Sequence, residues 1–172
     1  MAIYALGDLV PDIHPDAYVH PDATVIGSVS VGAQSTIWPR VVLRGDYGRI
    51  VIGERTSIQD GTVIHVPGIE DTIIGDDCVV GHLVHMEGCT IEDHCLIGSG
   101  SIVLHRVVVH RGAVVGANAV VTNGTIVPSG AMALGVPAVI KEGVVAEGSV
   151  DLPVAVYVAN GTRYAKELRR LD

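Results

Sequence analysis

Residues 91–127 read IEDHCLIGSGSIVLHRVVVHRGAVVGANAVVTNGTIV, and a bulky aliphatic residue returns at every sixth position. These residues are Ile91, Ile97, Val103, Val109, Val115, Val121 and Val127. A period of six fits neither an amphipathic helix nor a single alternating strand. It is typical of a hexapeptide β-helix, a solenoid in which three hexapeptides form one triangular coil. Residues about eighteen apart should therefore stack at the strand spacing of about 4.8 Å.

The same period extends over residues 13–138 and predicts roughly seven coils. The remaining inward positions are Ile13, Val19, Val25, Val31, Ile37, Leu43, Ile52, Ile58, Ile64, Ile74, Val80, Met86 and Ala133. Most are followed four residues later by a smaller inward residue, such as Ser35, Thr56, Cys78 or Cys95. Extra residues follow Leu43 and Ile64, which predicts loops that bulge outward at Gly45–Arg49 and Pro67–Asp71.

The predicted fold class is an all-β solenoid, a left-handed parallel β-helix with a C-terminal α-helix. We expect a β-helix domain over residues 1–140, followed by a linker and a helix that packs on the prism over residues 141–172. Asp151 could cap this helix, with Pro153 in its first turn. Its predicted buried stripe consists of Tyr157, Tyr164, Leu168 and Leu171.

Composition narrows the functional classes. A net charge of -8 argues against a nucleic-acid partner. No apolar run is long enough for a membrane helix, and no signal peptide is evident, so we expect a cytoplasmic protein without a membrane partner. Three cysteines do not form a disulfide framework. Cys78 and Cys95 fall on stacked inward positions and are predicted to be small buried residues, a stacked disulfide being the weaker alternative.

The six-residue register also sorts the histidines. His65 and Glu87 both follow an inward residue, three repeat steps apart, so Glu87 should stack over His65 on an outer face. His85 points outward on the other side of Met86, and His82 lies near the preceding corner. Three imidazoles and a carboxylate should thus crowd two adjacent coils. For the other histidines we expect ordinary surface or corner positions: His14, His20, His94, His105 and His110.

Three blocks of sequence carry a resemblance to a known family. They are WPRVVLRGD at residues 38–46, IQDGTVIH at residues 58–65 and VGH at residues 80–82. In this order and spacing they resemble the gamma-class carbonic anhydrase family. The resemblance covers nearly the whole chain, including the C-terminal helix with Tyr164, a candidate catalytic residue.

The resemblance implies a homotrimer with a Zn²⁺ site, or another divalent ion such as Fe²⁺ or Co²⁺, between subunits. His65 matches a metal ligand from one chain, and His82 matches the ligand offered by its neighbour. Gln59 matches a residue near the metal-bound solvent. Arg44 and Asp46 match residues that join subunits, and we place Asp60 with them.

The chain departs from the family pattern at Glu87, where the family has a histidine. Zinc accepts two histidines and one glutamate, so either Glu87 or His85 could be the third ligand, and the other could relay a proton. The expected activity is reversible hydration of carbon dioxide to bicarbonate by a zinc-bound hydroxide. Two alternatives stay open: a hexapeptide acyltransferase or thioesterase-like enzyme, and a non-catalytic trimer that binds a metal or small ligand.

Overall fold

The computed structural model describes residues 2–66, 68 and 70–172. Its strands, numbered in chain order, are β1 Ala2–Tyr4, β2 Asp12–Ile13, β3 Tyr18–Val19, β4 Thr24–Val31, β5 Thr36–Ile37, β6 Val42–Ile52, β7 Ser57–Ile58, β8 Val63–His65, β9 Thr72–Ile74, β10 Val79–Val80, β11 His85–Glu87, β12 Thr90–Ile91, β13 Leu96–Ile97, β14 Ile102–Val103, β15 Val108–Val109, β16 Val114–Val115, β17 Val120–Val121, β18 Ile126–Val127, β19 Met132–Leu134 and β20 Val139–Lys141. One helix, α1, spans Asp151–Glu167.

The strands stack into three faces of a prism, which confirms the predicted left-handed parallel β-helix. The first face contains β8, β11, β14 and β17, and the second contains β9, β12, β15 and β18. The third face runs from β3 through β5, β7, β10, β13 and β16 to β19, and β20 pairs antiparallel with β19 at its end. The long strands β4 and β6 cross the corner between the first two faces, so these faces form one continuous sheet.

The predicted inward aliphatics line the core. All of them are buried except Ile13, which is partly buried and packs against the core. The predicted bulge at Gly45–Arg49 is present within the long strand β6: Gly27 pairs with Gly45 and Val29 with Ile50, so residues 46–49 lie opposite the single residue Ser28. The second predicted loop lies only partly within the described residues, because Pro67 and Ile69 are outside them.

The smaller inward residues form a hydrogen-bonded column at one corner. Each donates its hydroxyl or thiol to a backbone carbonyl on the next coil: Ser35 to Gly53 at 2.6 Å, Thr56 to Gly75 at 2.7 Å, Cys78 to Glu92 at 3.1 Å and Cys95 to His110 at 3.3 Å. A buried polar group needs such a partner, since an unpaired one is costly. Cys78, Cys89 and Cys95 are all buried free thiols, so the disulfide alternative does not describe this structure.

Helix α1 packs on the third face, against β3, β5 and β7. Val154 and Gly161 are its buried residues, and Tyr157 packs partly buried between the helix and the core. The predicted buried stripe was wrong beyond Tyr157, because Tyr164 is exposed, and Leu168 and Leu171 follow the helix and are exposed as well. The helix begins after Val150 without a side-chain cap, so Asp151 is its first residue and not its cap. None of the described helices is both long and apolar enough to cross a bilayer.

Candidate active site

Strand register builds a polar column on the first face. Residue His65 of β8 pairs with Arg44 of β6 on one side and with Glu87 of β11 on the other. All three follow a buried inward residue, so their side chains point outward from the same position of successive coils. The stacking of Glu87 over His65 that the sequence predicts is therefore present.

The column is held by contacts between nitrogen donors and carboxylates. A hydrogen bond of 3.0 Å joins His65 Nε2 to Asp46 Oδ1, and the guanidinium of Arg44 binds the other oxygen of Asp46. Burial alone would raise the pKa of Asp46, but hydrogen bonds from Arg44, the backbone and His65 outweigh it and lower that pKa. Asp46 therefore stays ionised and anchors one end of the column.

Glu87 lies at the centre of three imidazoles. Its Oε1 is 3.5 Å from His65 Nδ1 and 3.3 Å from His85 Nε2, while its Oε2 is 3.5 Å from His105 Nε2. The Glu87 side chain is only 23% exposed, whereas that of His85 is 40% exposed. His65 and His105 are only 16% and 27% exposed, so His85 is the imidazole of this group that is most open to a ligand.

His105 is the residue that sequence reasoning missed. Its partner one coil earlier is Gly88, because Val103 pairs with Met86. A side chain at Gly88 would crowd the ring, since its Cβ would lie 3.1 Å from His105 Nδ1. The sequence signal that could have revealed His105 is Gly88, which lies one coil before it and directly after Glu87.

Two loop contacts lie beside this cluster. Asp71 accepts hydrogen bonds from Arg49, from Nε at 2.9 Å and from Nη2 at 2.7 Å. Arg106, which follows His105, donates to Glu70 at 3.1 Å. The described residues of the second loop are therefore tied to coils on both sides of the cluster.

Other predicted site residues lie at a different corner. His82 Nδ1 is 3.0 Å from Asp60 Oδ2, at the corner that precedes β11, whereas Glu87 is at the far end of that strand. Gln59 is buried beside Asp60. Tyr164 lies on α1 with its ring 4.9 Å from that of Trp38. Within one chain the fold thus separates these residues from Glu87.

Two clefts lie away from the cluster. One of about 400 Å³ lies between the segment before α1 and residues such as His94 and Arg111. Another of about 420 Å³ lies between α1 and the third face. The imidazoles and carboxylates converge instead around Glu87 on the first face, where acid–base chemistry can occur.

The residues present do not fit the predicted metal. Among the described residues, no group of three or more His, Cys, Asp or Glu side chains could hold an ion. Both ring nitrogens of His65 already face carboxylates, and His82 pairs with Asp60 at the other corner. Glu87 has its two oxygens among three histidine rings. The predicted cofactor, Zn²⁺ or another divalent ion such as Fe²⁺ or Co²⁺, was therefore wrong.

Comparison with known proteins agrees with the repeat. The family model for bacterial transferase hexapeptide (six repeats) matches residues 71–105 and 88–123. A solved structure from Bacillus cereus, provisionally assigned as an acetyltransferase, is 34% identical with a TM-score of 0.92, covering 95% of this chain and 96% of that one. The chain belongs to the hexapeptide-repeat transferase family.

Two further proteins bear on the activity. The chain is 41% identical over 109 residues to the carnitine operon protein CaiE of Escherichia coli K12, covering 63% of this chain and 56% of that protein. It thus spans little more than half the length of this curated relative. A mutant of perosamine N-acetyltransferase from Caulobacter crescentus, solved with CoA and GDP-perosamine, is 26% identical with a TM-score of 0.55, covering 77% and 57% of the two chains.

These findings contradict the predicted carbonic anhydrase. The similar proteins include an assigned acetyltransferase and an N-acetyltransferase with bound CoA. The expected lyase activity, the hydration of carbon dioxide, was therefore wrong, and so was the metal cofactor that it required. The resemblance is confirmed at the level of the hexapeptide-repeat family and its left-handed β-helix fold, and one fold can carry unrelated chemistry.

Proposed function

We propose that this protein is an acyltransferase that moves an acyl group from acyl-CoA to an amine or hydroxyl group of a small acceptor. Family membership and the CoA-bound N-acetyltransferase support the reaction class. The observation that carries the proposal is the pair formed by His85 and Glu87, whose Nε2 and Oε1 atoms lie 3.3 Å apart on an outer face.

His85 is the proposed general base. With its Nε2–H directed at Glu87, the nitrogen that can accept a proton is Nδ1. His85 takes the proton from the acceptor as its nitrogen or oxygen attacks the thioester carbonyl. The new C–N or C–O bond forms, the C–S bond breaks, and the CoA thiolate leaves with the proton returned by His85. Glu87 stabilises the imidazolium that forms in between.

We further propose a homotrimer, the usual assembly of hexapeptide β-helix proteins. The outer positions of the first face carry Val63 and Ile102 on either side of His85 along the stack, a surface suited to contact with another copy. In this assembly Arg44, Asp46 and Asp60 would contact a neighbouring chain. Gln59, His82 and Tyr164 of that chain could then approach the cluster around Glu87.

Sedimentation tests the assembly directly. A trimer should have three times the chain mass of 17.9 kDa. A species that stays monomeric at all protein concentrations would remove the shared site. The buried free thiols and the acyl-CoA donor support a cytoplasmic location.

Acyl transfer is tested by mixing the protein with acetyl-CoA and a panel of small amines and alcohols. A thiol-reactive dye measures CoA release, and mass spectrometry identifies the acylated acceptor. We expect His85→Asn to lower kcat by about 10²–10⁴-fold. The matched control is His110→Asn, because His110 also pairs with a carboxylate, Glu92, at 3.0 Å but lies on another corner. Equal activity of His85→Asn and the unaltered protein would refute the proposed base.

One outcome would redirect the proposal. If CoA is released at the same rate with and without an acceptor, and no acylated product forms, the protein is a thioesterase instead. In that case water is the nucleophile that His85 activates. Failure to release CoA from acetyl-CoA and longer acyl-CoA esters would overturn both activities.

A further inference from the structure

The Glu87 carboxylate is contacted on both of its oxygens. Oε2 lies 3.5 Å from His105 Nε2, while Oε1 lies 3.5 Å from His65 Nδ1 and 3.3 Å from His85 Nε2. A glutamate side chain is flexible, and an orienting group works only when it is held still. The two imidazoles that do not serve as the base are placed to do this.

Each of these imidazoles is itself restrained. His65 is 16% exposed and is fixed through its other nitrogen by Asp46, which Arg44 holds in turn. His105 is 27% exposed and lies in the space left by Gly88, next to the Arg106–Glu70 contact. Glu87 is therefore held between two supported rings.

We infer that His65 and His105 are positioning residues that fix the Glu87 carboxylate for His85. This inference rests on the proposed function only in naming His85 as the base. The side chains of the polar column point out of the prism, so neither strand pairing nor core packing explains why they are present. Positioning of Glu87 gives them a role. The continuous series Arg44, Asp46, His65, Glu87 and His85 is then one oriented unit.

The test compares His65→Ala, His65→Gln, His105→Ala and His105→Gln with the control His110→Gln. We expect the alanine variants to lower kcat about tenfold, since a small misplacement of a catalytic group has effects of this order or larger, with the KM for acetyl-CoA unchanged. Glutamine can still donate a hydrogen bond to Glu87, so the glutamine variants should recover part of the loss. The control should behave like the unaltered protein.

A second measurement does not depend on enzyme activity. Diethyl pyrocarbonate acylates an accessible imidazole nitrogen, and peptide mass spectrometry follows the rate at His85. An oriented carboxylate makes the partner imidazole more nucleophilic, so this rate should fall severalfold in His65→Ala and His105→Ala. Circular dichroism verifies that each variant is folded, and the glutamine variants provide the same comparison if an alanine variant is not.

The two proposals fail differently. If the unaltered protein transfers no acyl group but the His85 rate still depends on His65 and His105, the proposed reaction is wrong and the positioning role stands. If folded variants keep the His85 rate of the unaltered protein, the positioning role is overturned whatever the activity. A rise in KM without a fall in kcat would also overturn it, because that result assigns these residues to binding.

Discussion

Replacing Gly161 with alanine has two opposite effects on the stability of the fold, a gain in helix propensity and a cost of overpacking. Gly161 lies inside α1 and is buried against the third face. In an exposed helix the change would stabilise the fold by about 1 kcal/mol, because glycine is a poor helix former. Here the added Cβ would lie 2.5 Å from Thr36 Cγ2 of β5, closer than such atoms pack. Overpacking of this kind costs about 1–3 kcal/mol.

We expect Gly161→Ala to lower the free energy of unfolding by about 1 kcal/mol, since the clash exceeds the gain in helix propensity. Urea denaturation followed by circular dichroism measures this change. Fluorescence of Trp38, the single tryptophan, reports the docking of α1, since its ring lies 6.1 Å from Tyr157 and 4.9 Å from Tyr164.

Thr36→Ser provides the matched background. It removes the clashing methyl group and keeps the hydroxyl that accepts a hydrogen bond from Trp38 Nε1 at 3.0 Å. In this background Gly161→Ala should become neutral or stabilise the protein by up to about 1 kcal/mol. The reasoning is refuted if Gly161→Ala stabilises the original protein, or if its effect is the same in both backgrounds.

Three further predictions concern the core and the ionisable groups. Ile97→Ala removes a fully buried side chain from the prism and should lower the free energy of unfolding by about 2–5 kcal/mol in urea denaturation; a loss below about 1 kcal/mol would contradict the register. Hydrogen bonds from Arg55 lower the pKa of Asp77, so the ionised carboxylate stabilises the folded protein. This stabilisation is fully present above the ordinary aspartate pKa and is lost as the pH falls through the lower pKa of the folded state. Asp77→Asn should therefore make the Tm less sensitive to acid, and an unchanged pH profile would count against the pair. Burial raises the pKa of Cys89 to about 12, so iodoacetamide should leave it unmodified in the native protein at pH 8 and modify it in urea; rapid native labelling would show that the thiol is accessible.

Hydrophobic periodicity predicts the core of this protein well because a repeat stack has only local rules. Each coil contacts its neighbours, so the inward phase at Ile97 follows directly from its spacing to Ile91 and Val103. The same phase correctly places Glu87 over His65. The separate prediction of a buried stripe on α1 was wrong at Tyr164, Leu168 and Leu171, because the helix lies outside the repeat and the six-residue phase specifies neither its end nor its buried side.

The sequence alone determined which residues face inward, which face outward, and which coils lie next to each other. Only the tertiary structure decided which atoms meet. Asp46, two residues past Arg44, turns its carboxylate to His65 Nε2, and His105 reaches Glu87 from the following coil. These directions depend on backbone dihedrals and side-chain rotamers at the bend of β6 and at the corners, which a six-residue period does not encode. For that reason the sequence predicted a cluster around Glu87 but assigned it a metal, whereas the structure fills the same space with paired imidazoles and carboxylates.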